Sequence, residues 1–144
     1  MVASTITFRK AAEEEMPEVV ELAKALAKEL PITHRDYNFL ESHLYQVHNA
    51  GVLDTYIAIK EGEIVGTLAF ILGAEPWSGR VIAYEAFWYV KPEYRGGVGM
   101  GLLKYVEKNL KCDTIDLGIY DPRLLKLLQR FGYTAIKTIV TKEL

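Results

Sequence analysis

The chain has almost no cysteine: Cys112 stands alone among 144 residues. One thiol cannot close an internal disulfide or build a cysteine-based metal site, and it points to a reducing, cytoplasmic setting. There is no excess of positive charge either. With 17 basic and 19 acidic residues the net charge is −2, and the pI lies near 5.9. That excludes a surface built broadly for nucleic acid or for an anionic membrane. No apolar run approaches the roughly 20 residues that span a bilayer. Met1 to Glu15 holds an acidic run without an apolar centre, so no export leader is expected.

What is present suits one globular domain over residues 1–144. Half of the residues are apolar and a quarter are charged. A chain of this length buries a core without disulfide or metal support. One feature is uneven: of 11 glycines, four fall within Gly96–Gly101.

Periodicity gives the elements. Thr5–Phe8 alternates and is predicted as a strand. Glu13 to Glu15 and Pro17 are helix-start signals, and Val19, Leu22, Ala23, Leu26 and Leu30 form one apolar stripe that Pro31 ends. A second amphipathic helix is predicted from Asp36 to His48, closed by Gly51. Thr55–Ile59, Ile64–Leu72 and Val81–Val90, separated by turn residues, predict an antiparallel meander. Leu102, Leu103, Val106 and Leu110 mark a third helix. Thr114–Ile119 follows as a short strand. Asp121-Pro122 caps a fourth helix that Gly132 closes. Alternation from Ala135 to Thr141 predicts a last strand. The order is β-α-α-β-β-β-α-β-α-β: an α+β fold with a mixed sheet, in which a helix joins strands 4 and 5 as a parallel crossover.

Glycines between a strand and a helix let the backbone approach a bound group, and the free amides at the helix start favour an anion. A bare turn needs one glycine, not four. The dinucleotide pattern G-x-G-x-x-G fails, because from Gly97 the sixth position is Leu102. The P-loop pattern fails too, with Leu102 where lysine is required.

The run Phe87–Leu103, F-W-Y-V-K-P-E-Y-R-G-G-V-G-M-G-L-L, resembles the acetyl-CoA motif of the GNAT superfamily of N-acetyltransferases. The element order resembles that fold over the whole chain, as in a small single-domain bacterial or phage-like member, and R-F-G-Y resembles a later family motif. Counting from Gly97-x-Gly99, the family's Arg/Gln position falls on Tyr94 and Arg95 is displaced by one. The resemblance implies acetyl-CoA as co-substrate and no metal. The pyrophosphate would lie on the amides of Arg95, Gly96, Gly97, Val98, Gly99, Met100 and Gly101. Pantetheine would run beside Trp88, Tyr89 and Val90, where strands 4 and 5 splay, and the Val90 amide would polarise the thioester. The acceptor would be an amine on a small molecule or a protein. With one strand after the fourth helix where many relatives have two, a sheet edge is left for a homodimer.

Acetyl transfer to an amine needs a base, because a lysine-like amine has a pKa of about 10.4. Glu85 is the one carboxylate within the apolar strand Val81–Val90. Related enzymes use a glutamate on this strand as base, whereas an edge-facing or salt-bridged glutamate would have no such role. Many relatives place an acid tyrosine four residues before their later glycine, and here that position is Leu128. Tyr120 is the expected substitute, unless it only packs at a helix start. His34, His43 and His48 lack zinc-helix spacing and suit a solvated face. Tyr37, Asp36, His34 and Trp77 are expected on the acceptor side. A non-catalytic acyl-CoA-binding or interaction domain on the same fold is the alternative.

Overall fold

A computed structural model describes residues 5–144. The absence of an export leader was read in part from residues 1–4, which lie outside the described residues. Five strands form one sheet in the order β1 (Thr7–Lys10), β2 (Leu53–Lys60), β3 (Glu63–Ala74), β4 (Val81–Val90) and β5 (Thr114–Asp116). The first three pairings are antiparallel. The β4–β5 pairing is parallel, as the intervening helix requires. Four helices complete the fold: α1 (Met16–Glu29), α2 (Tyr37–Asn49), α3 (Val98–Asn109) and α4 (Pro122–Arg130).

The helices begin where side chains satisfy the first free amides. Asp36 accepts from the Phe39 amide at α2, and Asp121 from the Arg123 amide at α4. Pro17 and Pro122 sit in first turns, where their missing N–H costs nothing.

The meander is apolar on both faces because helices cover both. Ile57, Ala69, Phe87 and Tyr89 pack with Val19, Val20 and Leu44 of α1 and α2. Ala58, Leu68, Phe70 and Val90 face the other way, onto Leu102, Leu103 and Val106 of α3 and Leu128 of α4. Successive strand residues point to opposite faces, so one alternation feeds two cores.

The predicted strand Ala135–Thr141 does not form. Residues 134–144 are assigned no strand or helix, and Ile136, Ile139 and Val140 are exposed. Among the described residues, none of the backbone groups of 134–144 pairs with another backbone group. Alternation selects a residue's face but supplies no partner strand, and an unpaired strand is not stable in water. The observed order is therefore β-α-α-β-β-β-α-β-α. The strand predicted over Thr114–Ile119 is also cut short, at Asp116.

Candidate active site

The sheet splits between β4 and β5. Their pairing covers Ile82 to Tyr84 of β4 and goes no further, so the β4 edge from Glu85 to Val90 opens into a cleft of about 690 Å³. The opposite wall is residues 118–121, with Leu124 and Leu127 of α4 below. A bulge in β4 sits at the split: Phe70 pairs with Glu85 and Ala69 with Phe87, leaving Ala86 over. Such a bulge re-aims its neighbours, here Glu85 at the cleft.

Backbone direction follows from the ladder. The Lys91 amide donates to Val65 O at 2.9 Å. By antiparallel alternation, the amides of Val90 and Trp88 point the other way, to the open edge. The Val90 side chain stays in the core, as does most of Trp88. Packing and an exposed main chain therefore coexist at the same residues.

The glycine cluster closes one end of the cleft, and its members divide the labour. Gly96 and Gly97 have φ of 119° and 126°, a region that only glycine occupies without strain. Gly99 and Gly101 are helical, inside α3. A Cβ on Gly101 would lie 2.5 Å from Phe8 Cζ, so that glycine lets α3 lie close to β1. The Gly101 amide donates to Gly97 O (2.9 Å) and the Arg95 amide to Pro92 O (3.3 Å). The amides of residues 97–100 have no partner within the helix by position. Of the glycine loop, Gly96, Gly97, Gly99 and Met100 line the cleft and Val98 and Gly101 do not; free amides and a helix dipole at such a place favour an anion.

Arg95 is the sole basic side chain among the described residues lining the cleft. It is turned back toward α1. Its Nε donates to Val90 O (2.8 Å), and its terminal nitrogen donates to both Glu29 oxygens (2.9 and 3.1 Å). It also lies over the Tyr89 ring at 5.4 Å. The guanidinium in turn holds the Glu29 carboxyl below its ordinary pKa. The pair is about half exposed, so it contributes at most about 1 kcal/mol. Tyr94, on which the resemblance puts the Arg/Gln position, does not line the cleft and donates to Glu63 at 2.9 Å.

Glu85 is half-buried in the cleft wall. One oxygen accepts the Gly118 amide at 2.9 Å. Burial pushes its pKa above the ordinary carboxylate value, and the Gly118 hydrogen bond offsets part of that rise. A carboxylate moved toward neutrality beside an open strand edge can take a proton from a bound group. Tyr120 lines the same cleft and is 64% exposed.

The cleft thus brings together Glu85, Tyr120, Trp88, Tyr89, Val90, Arg95, Gly96, Gly97, Gly99 and Met100. Tyr37, Asp36, His34 and Trp77 do not line it. Trp77 stands on the β3–β4 hairpin, 89% exposed, and His34 meets Glu143 at 2.9 Å. His48 meets Glu13 at 2.6 Å, and His43 stacks on Phe39. Leu128, the position at which the resemblance would put a tyrosine, is a core residue at 1% exposure. Sequence reasoning missed Gly118 and Glu29. A glycine interrupting the alternating run Thr114–Ile119 is the signal that marks the first; the second has none. Among the described residues no helix is long and apolar enough to cross a membrane.

The model of the acetyltransferase (GNAT) family matches residues 17–133. No curated protein matches the sequence significantly. Solved structures share the fold. A Pyrococcus furiosus protein classed with the acetyl transferases superposes with a TM-score of 0.79 at 23% identity, covering 97% of this chain and 100% of its own. A predicted acetyltransferase from Clostridium acetobutylicum, solved with acetyl-CoA, gives 0.77 at 19% identity, covering 96% of each chain. A ribosomal-protein-alanine N-acetyltransferase from Brucella melitensis biovar Abortus 2308 gives 0.76 at 19% identity, covering 97% and 99%.

Proposed function

Because the chain belongs to the GNAT family of acetyltransferases, we propose that it moves the acetyl group of acetyl-CoA directly to an amine in a ternary complex. One observation carries this reading: the amide cradle at α3, the open β4 edge and the half-buried Glu85 share one cleft. The cradle would hold the pyrophosphate, and the β4 main chain from Trp88 to Val90 would align the pantetheine as an added strand. The Val90 amide would donate to the thioester oxygen as charge develops there. Glu85 would take the amine proton, directly or through one water. Carbonyl attack would then form the new C–N bond and break the C–S bond. A CoA thiolate, with a thiol pKa near 8.5, leaves with little help.

Binding is tested by melting. Acetyl-CoA at a hundred times its Kd should add about 2.7 kcal/mol, roughly 5–10 °C in Tm for a chain of this size. No shift at saturation would remove the reading. Chemistry is tested by CoA release across a panel of amines: polyamines, amino acids, aminoglycosides and peptides with free N-termini. A peptide that begins with alanine is one arm of that panel, since the Brucella structure is named for ribosomal-protein-alanine.

A second reading, an acyl-CoA binder without turnover, draws on Leu128: the position of the usual acid is filled by a core leucine. It predicts the melting shift without CoA release from any amine. Under the first reading Tyr120 protonates the leaving thiolate. Because that thiolate is already a fair leaving group, Tyr120→Phe should lower turnover only about tenfold. An unchanged rate would take Tyr120 out of the chemistry.

A further inference from the structure

Between the C-terminal end of α3 and the corner of the sheet where β1 ends and β2 begins lies a cavity of about 500 Å³. That is within the size range of small-molecule sites. It shares no lining residue with the cleft. Tyr56 of β2 lines it and is only 2% exposed. Its ring meets that of Tyr105 of α3 edge-on, with centroids 6.0 Å apart, and Phe8 backs Tyr105 at 6.2 Å. Neither tyrosine hydroxyl has a hydrogen-bond partner among the described residues. Nearly all buried polar groups find one, so a buried hydroxyl without a partner needs a reason. Burial, with the Asp54 charge nearby, pushes the Tyr56 hydroxyl up to about 12, so near neutrality it remains a proton donor. The charges around it do not cancel. Lys10 pairs with Asp54 at 3.1 Å, whereas Lys111 has no ion-pair partner among the described residues. The lining is left with one net positive charge. Carbonyls at a helix end would repel an anion, but here two are covered: Tyr105 O accepts from the Asn109 side chain and Val106 O from the Leu110 amide, both at 2.8 Å.

We propose that this cavity binds a small organic monocarboxylate with an apolar body. The Tyr56 and Tyr105 hydroxyls and the Lys111 ammonium would donate to the carboxylate. Leu72 and Leu110, which also line the cavity, would pack against the body. One net positive charge suits one carboxylate better than a phosphate group, which carries about −1.5 to −2. An ammonium ligand would meet two lysines and no free acid. A wholly apolar ligand would leave the hydroxyls unpaired. The donors are also held in place. Tyr105 is fixed between Tyr56 and Phe8, and Tyr56 is fixed by burial, so binding orders little that is not ordered already. Because the cavity and the cleft have no lining residue in common, its occupant is a second ligand, separate from acetyl-CoA and from the acceptor.

Benzoate is the probe, followed through the ring resonances of Tyr56 and Tyr105 in the full chain labelled on tyrosine and tryptophan. The expected result is a saturable shift of both rings at millimolar benzoate, and no saturation with benzylamine over the same range. Tyr56→Phe should weaken benzoate binding about tenfold. The melting temperature of the free protein should be unchanged or raised, since the lost hydroxyl had no partner. Lys111→Gln, at an exposed position, should weaken binding similarly, and it keeps the test decisive if Tyr56→Phe fails to fold. Absence of saturation with benzoate overturns the proposal. So does benzylamine binding as tightly as benzoate, and so does parental benzoate affinity in either folded variant. A benzoate response at the Trp88 indole in place of the two tyrosines also overturns it, because the anion would then lie in the cleft.

Discussion

Glu85→Gln is expected to cut turnover by about 10²–10⁴-fold, the span usual for a lost general base, with acetyl-CoA affinity unchanged. The affinity is spared because the proposed acetyl-CoA contacts are backbone groups of β4 and α3. The turnover falls because a protonated amine has no lone pair for the carbonyl, and the amide of glutamine cannot take its proton. Stability should move the other way. Burial raises the Glu85 pKa in the folded protein, so folding favours the protonated form. Whatever this group contributes to stability is fully present below its unfolded pKa, about 4.3. It is lost as pH climbs through the raised folded value. Glutamine never ionises, and its carbonyl oxygen still accepts the Gly118 amide. Glu85→Gln should therefore melt above the parent near neutrality and level with it in acid. The pH profile gives a third readout: the parent's kcat/KM should fall on the acid side as Glu85 is protonated, and the variant should lack that limb. A slower, more stable protein with a flattened profile is the signature of a buried catalytic carboxylate. Unchanged turnover across pH would return Glu85 to a structural role.

Much of the fold is legible in local sequence, and what is not legible is long-range. The bounds of β4 coincide with Val81–Val90, because its apolar run is cut by Pro92 and by the hairpin turn. The start of α4 is written in two residues, Asp121 and Pro122. The family model over residues 17–133 agrees with the motif read from the glycine run. The last strand fails for the opposite reason. Ala135–Thr141 has the right alternation, but pairing depends on a neighbouring strand, and no local pattern encodes where that neighbour lies. The bulge at Ala86 is likewise set by register with β3. The Glu29–Arg95 contact joins residues 66 apart, beyond any periodicity. The glycine cluster was legible as a feature but not in its division. Sequence spacing cannot separate Gly96 and Gly97, which turn the chain, from Gly101, which lets α3 lie close to β1.

That division makes Gly97→Val the decisive test of the cradle. The variant is expected to weaken acetyl-CoA binding by about 10- to 100-fold, read as a melting shift that needs correspondingly more ligand. No clash causes this, since nothing lies within 4 Å of a Cβ added at Gly97. The cost is the backbone itself: a β-branched residue at φ 126° carries about 1–3 kcal/mol of strain. The loop relieves that strain by moving, and the amides of residues 97–100 then lose their common aim. Side chains cannot compensate. Arg95 is the one cation lining the cleft among the described residues, and Glu29 already holds it. Gly51→Val is the matched control. Gly51 also has positive φ (76°) and open space beyond its Cβ, but it lies at the end of α2, outside the cleft. It should lose comparable stability and keep its full response to acetyl-CoA. Equal affinity in Gly97→Val and the parent would mean that the α3 amides do not hold the ligand, and the acetyl-CoA reading of this cleft would fall with them.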